Sequence, residues 1–319
     1  MASSSNKTAS PLLVVIAFAT VYLVWGSTYL FIRIAMEGGF PPFILGAIRF
    51  TTAGLLLMGW CAIKGEKLFI AKDVLPAIIT GVLLLFVANG IVIWSETRLP
   101  SAVAAILVSS APIWFVVLDK PHWGMNFSSK ATIVGLIIGF AGVILLFSEQ
   151  IGSLFKGAGV HSNLPSMLLL VLGTISWSVG SLYSKTKKPT LSTSVGTAWQ
   201  MLAGGFMYFP LSLIHHEYTY FTFSLINLNG WLAMFYLILF GSIAAFSAYV
   251  WLLKVKPATQ VSTYAYVNPV IAVILGVFFA GEHISLVQLG GLFVILLSVL
   301  LINLAKYRKE RRAASLVVE

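Results

Sequence analysis

The residues best placed to do chemistry lie inside long apolar runs, where polar groups are costly and are kept for a reason. Pro257-Ala258-Thr259-Gln260-Val261-Ser262-Thr263-Tyr264-Ala265-Tyr266-Val267-Asn268-Pro269 is the most polar stretch within any such run. Thr259, Ser262, Tyr266 and Pro269 recur at helical spacing, so they share a face, with Gln260, Thr263 and Tyr264 beside them. Hydroxyl, amide and phenol groups of this kind either bond neighbouring helices or line a cavity; both readings stand at this point. Trp25 and Tyr29, Asn89, Ser109, and Trp177 and Tyr183 add the same aromatic and hydroxyl palette in four other runs. That chemistry is reversible binding of an amphipathic or aromatic small molecule, with no bond made or broken.

Arg49 stands eight residues beyond Pro41, roughly 12 Å along a helix, where a charge needs a partner or water. Pairing inside the protein and contact with an anionic substrate group are both open for it. Arg33 lies close to the end of its run and can reach the interface. The carboxylates are informative by position: Glu37, Glu66, Glu96, Asp119, Glu149, Glu217, Glu282 and Glu310 fall at or beyond run ends, and Asp73 and Glu319 lie outside. An intramembrane carboxylate relay for protons is therefore not expected, although Glu96 at one mouth could titrate.

No enzyme signature accompanies these groups. His122, His161, His215, His216 and His283 fall in connecting segments, no set has metal-ligand spacing, and no metal or cofactor is expected. There is no G-x-x-x-x-G-K-[ST] loop for ATP and no G-x-S-x-G nucleophile turn. Cys61 is the only cysteine, so an intrachain disulfide is excluded.

The elements that must position these residues are set by hydropathy. With 59% hydrophobic and 9% charged residues, the 319-residue chain has too little polar surface to coat a soluble globule. Ten apolar runs are read at 12–36, 41–63, 74–95, 100–118, 131–147, 164–185, 193–213, 230–252, 257–279 and 285–305. Their lengths suit helices crossing about 30 Å of hydrocarbon. The lipid bilayer is thus one partner, a small-molecule substrate the other, and no obligate protein partner is inferred.

The net charge of +10 does not signal nucleic acid, because the cations mark sidedness. Arg98 and Lys156 alone fall in the connections expected outside, whereas Lys64, Lys67, Lys72, Lys120, Lys130, Lys185, Lys187, Lys188, Lys254, Lys256 and the terminal run from Lys306 to Arg312 fall on the other side. Both termini are expected in the cytoplasm.

A spaced triplet, W-x5-P-x11-P, occurs as Trp94, Pro100 and Pro112 and again as Trp251, Pro257 and Pro269. Gly26-Ser27-Thr28-Tyr29 is echoed by Gly180-Ser181-Leu182-Tyr183. Two units of five runs, 12–147 and 164–306, follow, and five being odd, they must face opposite ways. Pro112 and Pro269 are expected to interrupt their helices, as packing kinks or as pivots along a path.

Trp25-Gly26-Ser27-Thr28-Tyr29-Leu30-Phe31-Ile32-Arg33, Arg49-Phe50, and Tyr264-Ala265-Tyr266-Val267-Asn268-Pro269 followed by Gly281-Glu282 together resemble EamA-type permeases of the drug/metabolite transporter superfamily. The resemblance implies an all-α polytopic membrane protein of ten transmembrane helices in two inverted five-helix repeats. It also implies a bacterial inner-membrane location and export or exchange of small metabolites, amino acids or drugs. Asp119-Lys120-Pro121-His122 departs from the pattern, standing where the second half has Gly281-Glu282. Alternating access at the repeat interface is the expected mechanism, and a lipid or lysolipid flippase with a laterally open groove is the alternative.

Overall fold

Hydrocarbon offers the backbone no water to bond, so apolar runs wind into helices that satisfy their own amides. In the computed structural model every regular element among the described residues is a helix. The structure describes residues 10–99, 101–148, 152, 160–187, 189–280 and 285–315. Lys7, Pro100, Glu149, Lys156, Lys188, Gly281, Glu282, His283 and Glu319 lie outside them, as do the side chains of residues 304–315 and of His161.

The helices are α1 Pro11–Glu37, α2 Pro42–Ile63 and α3 Ala71–Glu96, then α4 Ser101–Val108 and α5 Ala111–Leu118, a short α6 Trp123–Phe127 and α7 Lys130–Leu146. The second half holds α8 Val160–Thr186, α9 Thr193–Ile214, α10 Leu228–Val255, a short α11 Ala258–Val261, α12 Tyr264–Ala280 and α13 Leu286–Ser315. Among the described residues seven helices are long and apolar enough to cross a membrane, or eight if the pair Ala104–Leu118 and Lys120–Phe127, bent by 71°, is one span. The chain is a polytopic all-helical membrane protein.

With the bent pair counted as one span, two of the ten expected spans still fall short of that test, for physical reasons. At 17 residues α7 is short, and α9 carries Thr197, Gln200, Gly204 and Gly205. Those residues are small or polar because α9 packs against α2 and α3. Gly205 abuts Thr51, Gly54 abuts Leu202, and the Gly81 Cα meets the Gln200 backbone so closely that no Cβ fits. Small residues let membrane helices approach at the backbone level, which replaces the hydrophobic drive that lipid does not supply. The same device joins α7 to α13, where Gly135, Gly139 and Gly142 face Ile302, Ser298 and Ile295.

The connections gather at two ends of the bundle. At one end, Asp73 Oδ2 accepts from the Thr190 amide (2.8 Å), the Thr190 hydroxyl (2.7 Å) and the Leu191 amide (2.9 Å). Lys254 there donates to Thr193, and Lys185 Nζ donates to the carbonyls of Leu253 (2.5 Å) and Lys256 (2.6 Å). At the opposite end, both Glu217 carboxylate oxygens accept first-turn amides of α2, from Phe43 at 3.1 Å and Ile44 at 2.8 Å. Gly39, at φ +109°, makes the turn from α1 into α2 beside Leu225 and Ile226. The connection after α1 therefore lies at the acidic end and the connection after α8 at the basic end.

Candidate functional site

Two helices carry a π turn in mid-course, Val82–Ala88 in α3 and Leu237–Ala244 in α10. Such a turn inserts a residue and leaves carbonyls short of partners, a defect frequent at functional sites. Each one is satisfied from another helix. Tyr208 Oη donates to the Leu85 carbonyl (2.7 Å), Ser176 Oγ to that of Leu83 (2.9 Å), and Trp25 Nε1 to that of Gly241 (3.1 Å). The two defects thereby tie α3 to α8 and α9, and α10 to α1.

Between them lies a cavity with about 750 Å³ of atom-free space, its open part included. Trp25, Thr28, Tyr29 and Ile32 of α1 form one wall, and Arg49 and Phe50 of α2 another. Leu85, Ala88, Asn89 and Val92 of α3 face Gly173, Thr174 and Trp177 of α8; Val108, Ala111, Gly241, Phe246, Tyr264 and Asn268 complete the lining. Mostly apolar walls with a few convergent polar groups are the make-up of a small-molecule site.

An aromatic layer separates this cavity from the basic end. Trp25 contacts Trp177, Tyr249 and Tyr264 with ring centroids 5.4, 4.9 and 5.0 Å apart, and Tyr249 lies 5.6 Å from Tyr264. Tilted and edge-on pairs of this kind add about 0.5–1.5 kcal/mol each beyond burial. The layer is pinned by hydrogen bonds: Trp177 Nε1 donates to Tyr249 Oη (2.9 Å), which pairs with Ser181 Oγ at 2.6 Å. Beside it Tyr22 Oη meets Thr263 Oγ1 at 2.6 Å. On the far side of the layer a second pocket is lined by Lys72, Asp73, Thr80, Lys187, Gln200, Val250 and Lys254.

Arg49 is 4% exposed, and no carboxylate among the described residues pairs with it. Its Nε donates to Ser242 Oγ at 2.9 Å, in the π turn of α10, and its Cζ lies 4.7 Å from the Phe50 ring centroid. Among the described residues its Nη1 has no hydrogen-bond partner, nor has Oδ1 of Asn268, which lines the same cavity.

The structure gathers Trp25, Tyr29, Arg49, Asn89, Trp177, Tyr264 and Asn268 at one cavity. The other sequence-derived candidates serve the scaffold. Ser109 Oγ reaches the Ala265 carbonyl at 2.8 Å, Tyr266 Oη donates to the Leu136 carbonyl at 2.9 Å, and Thr263 holds Tyr22. Tyr183 meets Lys187, 4.6 Å from its ring centroid, away from the cavity. Pro112 sits in the first turn of α5, after a break at Ser109–Ser110. Pro269 does not interrupt its helix: it lies inside α12, and the break falls earlier, at Ser262–Thr263. A neighbouring helix supplies the reason: Ser109 donates the bond that the Pro269 ring denies to Ala265, and the helix continues past it. Thr28, Gly241 and Phe246 were not foreseen in the lining; only the π turn that exposes Gly241 marks it, and no sequence period encodes that.

The sequence of this cavity-bearing bundle matches the EamA-like transporter family over residues 12–148 and again over 164–304. The chain belongs to that family. An inner membrane transporter of Escherichia coli, YedA, is 38% identical over 293 residues, 91% of this chain and 90% of that protein. A Bacillus subtilis transporter, YvbV, is 26% identical over 93% of each chain, and PecM of Dickeya dadantii is 24% identical over 88% of this chain and 89% of its own. A solved crystal structure shares the fold at a TM-score of 0.74 with 20% identity, covering 93% of this EamA-like chain and 98% of its own.

Proposed function

We propose that this EamA-like chain is a secondary permease that exports or exchanges small organic solutes, amphipathic or aromatic, across a bacterial inner membrane by alternating access. The observation that carries the reading is one cavity near mid-bundle, walled by both halves of the chain and closed toward the basic end by the Trp25–Trp177–Tyr249–Tyr264 layer. A second pocket on the far side of that layer supplies the other vestibule. Exchange then requires the layer to part while the opposite side closes, so that the solute is never open to both.

Ten spans in two inverted repeats, 12–147 and 164–306, fit the placement of the connections. The turn after α1 packs with residues near Glu217 at the acidic end, and its counterpart after α8 packs with Asp73 at the basic end. With the basic end taken as cytoplasmic, both termini are cytoplasmic. An inner-membrane location accords with that of the Escherichia coli relative. The lipid-carrying alternative draws no support from these features.

The test is counterflow in proteoliposomes at equal internal and external pH, with labelled amino acids, nucleosides and aromatic amines. Saturable exchange that falls in Asn268→Ala supports the reading. A folded, inserted protein that exchanges nothing in the panel refutes it.

A further inference from the structure

Arg49 carries a charge into the bundle and finds no opposite charge among the described residues. Moving a guanidinium from water into such a site costs several kcal/mol, and an ion pair with extra hydrogen bonds is what offsets it. Here its one hydrogen bond goes to a neutral hydroxyl, Ser242 Oγ at 2.9 Å, its face lies by the Phe50 ring, and Nη1 has no hydrogen-bond partner among the described residues. Internal pairing, one of the two roles open to this residue from its sequence, is thus met by a single neutral bond. Yet Arg49 stands in the wall of the cavity, and Asn268, in the same lining, has an Oδ1 likewise without a hydrogen-bond partner among the described residues. A planar guanidinium with an unused edge fits the two oxygens of a carboxylate or a phosphate, and the mostly apolar walls favour the singly charged carboxylate.

The pocket at the basic end presents Lys72, Lys187 and Lys254 against one carboxylate, Asp73, whose Oδ2 already accepts three bonds from Thr190 and Leu191. Such a vestibule concentrates anions.

We propose that the cargo is an organic monocarboxylate with an apolar or aromatic body: the carboxylate pairs with Arg49, and the body lies against Phe50, Trp25 and Trp177. Asn268 takes an N–H or O–H of the same solute. This rests on the transport reading above and narrows it.

The experiment uses the purified full chain in detergent and matched neutral probes: phenylacetate against phenylacetamide, 3-phenylpropionate against 3-phenylpropanamide, and octanoate against octanamide. Binding is read by tryptophan fluorescence and by thermal-melt shift. At least one carboxylate binds about tenfold or more tightly than its amide. That preference disappears in Arg49→Gln and is kept in part in Arg49→Lys. Amides that bind as tightly as the acids, a panel in which no acid binds, or a preference that survives Arg49→Gln would each overturn the proposal. The wild-type comparison stands even if a variant does not fold. Counterflow separates the two claims: exchange of phenethylamine or the amides without the acids refutes the monocarboxylate and leaves the permease, whereas no exchange of any probe refutes both.

Discussion

Replacing Ser109 by alanine tests how a proline is carried inside an unbroken membrane helix. Pro269 has no N–H, so the Ala265 carbonyl one turn before it has no donor within α12. Ser109 is fully buried and its hydroxyl lies 2.8 Å from that carbonyl and 2.7 Å from the carbonyl of Ala105 in its own helix. Its single proton is shared between them. Hydrogen bonds between membrane helices average about 0.6 kcal/mol and reach about 1.7. Because Ser109→Ala also leaves a buried carbonyl unpaired, the expected loss is about 1–1.7 kcal/mol, the upper part of that range. Pro269→Ala restores the amide that can bond Ala265 from within the helix. In that background the serine becomes redundant and its removal costs less than about 0.5 kcal/mol, a coupling of about 1 kcal/mol in the double-mutant cycle. Equilibrium unfolding in mixed micelles with increasing sodium dodecyl sulfate measures all four proteins. Equal losses for Ser109→Ala in both backgrounds would show that the proton goes to Ala105 and that the reasoning is wrong.

Other perturbations have equally definite outcomes. Gly81→Ala drives a methyl group into the Gln200 backbone and loses about 1–3 kcal/mol in the same unfolding assay, whereas Gly196→Ala, with open space around it, loses none of that. Burial lifts the Glu217 carboxyl above the usual glutamate range, against the pull of the Phe43 and Ile44 amides and of His215. Since the fold favours the protonated form, its contribution is full below the ordinary glutamate value and is lost as pH rises through the raised one. Glu217→Gln should flatten that slope of melting temperature against pH, and an unchanged slope would count against it. Tyr249→Phe removes the hydroxyl that joins Trp177 to Ser181, so a thiol placed by Asn268→Cys should react faster with an impermeant maleimide added at the basic side than it does with Tyr249 intact.

The cavity was half legible in the sequence. Polar or aromatic side chains stranded in apolar runs signalled Trp25, Tyr29, Arg49, Asn89, Trp177, Tyr264 and Asn268, because such residues are costly facing lipid and must turn inward. Turning inward does not say toward what. Ser109, Tyr266 and Thr263 carry the same signal, yet the first two bond backbone carbonyls of neighbouring helices and Thr263 bonds the Tyr22 hydroxyl, a distinction that depends on partners distant in sequence. The π turns were invisible, since Val82–Ala88 is an ordinary apolar string. The break at Ser262–Thr263 was also missed, for the prolines that bracket it drew attention to Pro269 instead. Hydropathy outlined α9 by its length, while its glycines and Gln200 reported burial against α2 and α3.

The paired π turns also have a mechanical meaning. An extra residue wound into a helix behaves like a dislocation in a crystal: it can migrate by exchanging one hydrogen bond at a time, without melting the rod that contains it. Each step of such a migration rotates the residue it passes by about 100° about the helix axis. In α10 the defect holds Gly241 toward Trp25 and Ser242 toward Arg49, and in α3 it holds Leu85 toward Tyr208. A shift of one residue in either helix would release those donors together and turn a different side chain to the cavity. The bundle therefore contains two points of slack, set in facing walls, at which small local slips can change what the interior presents.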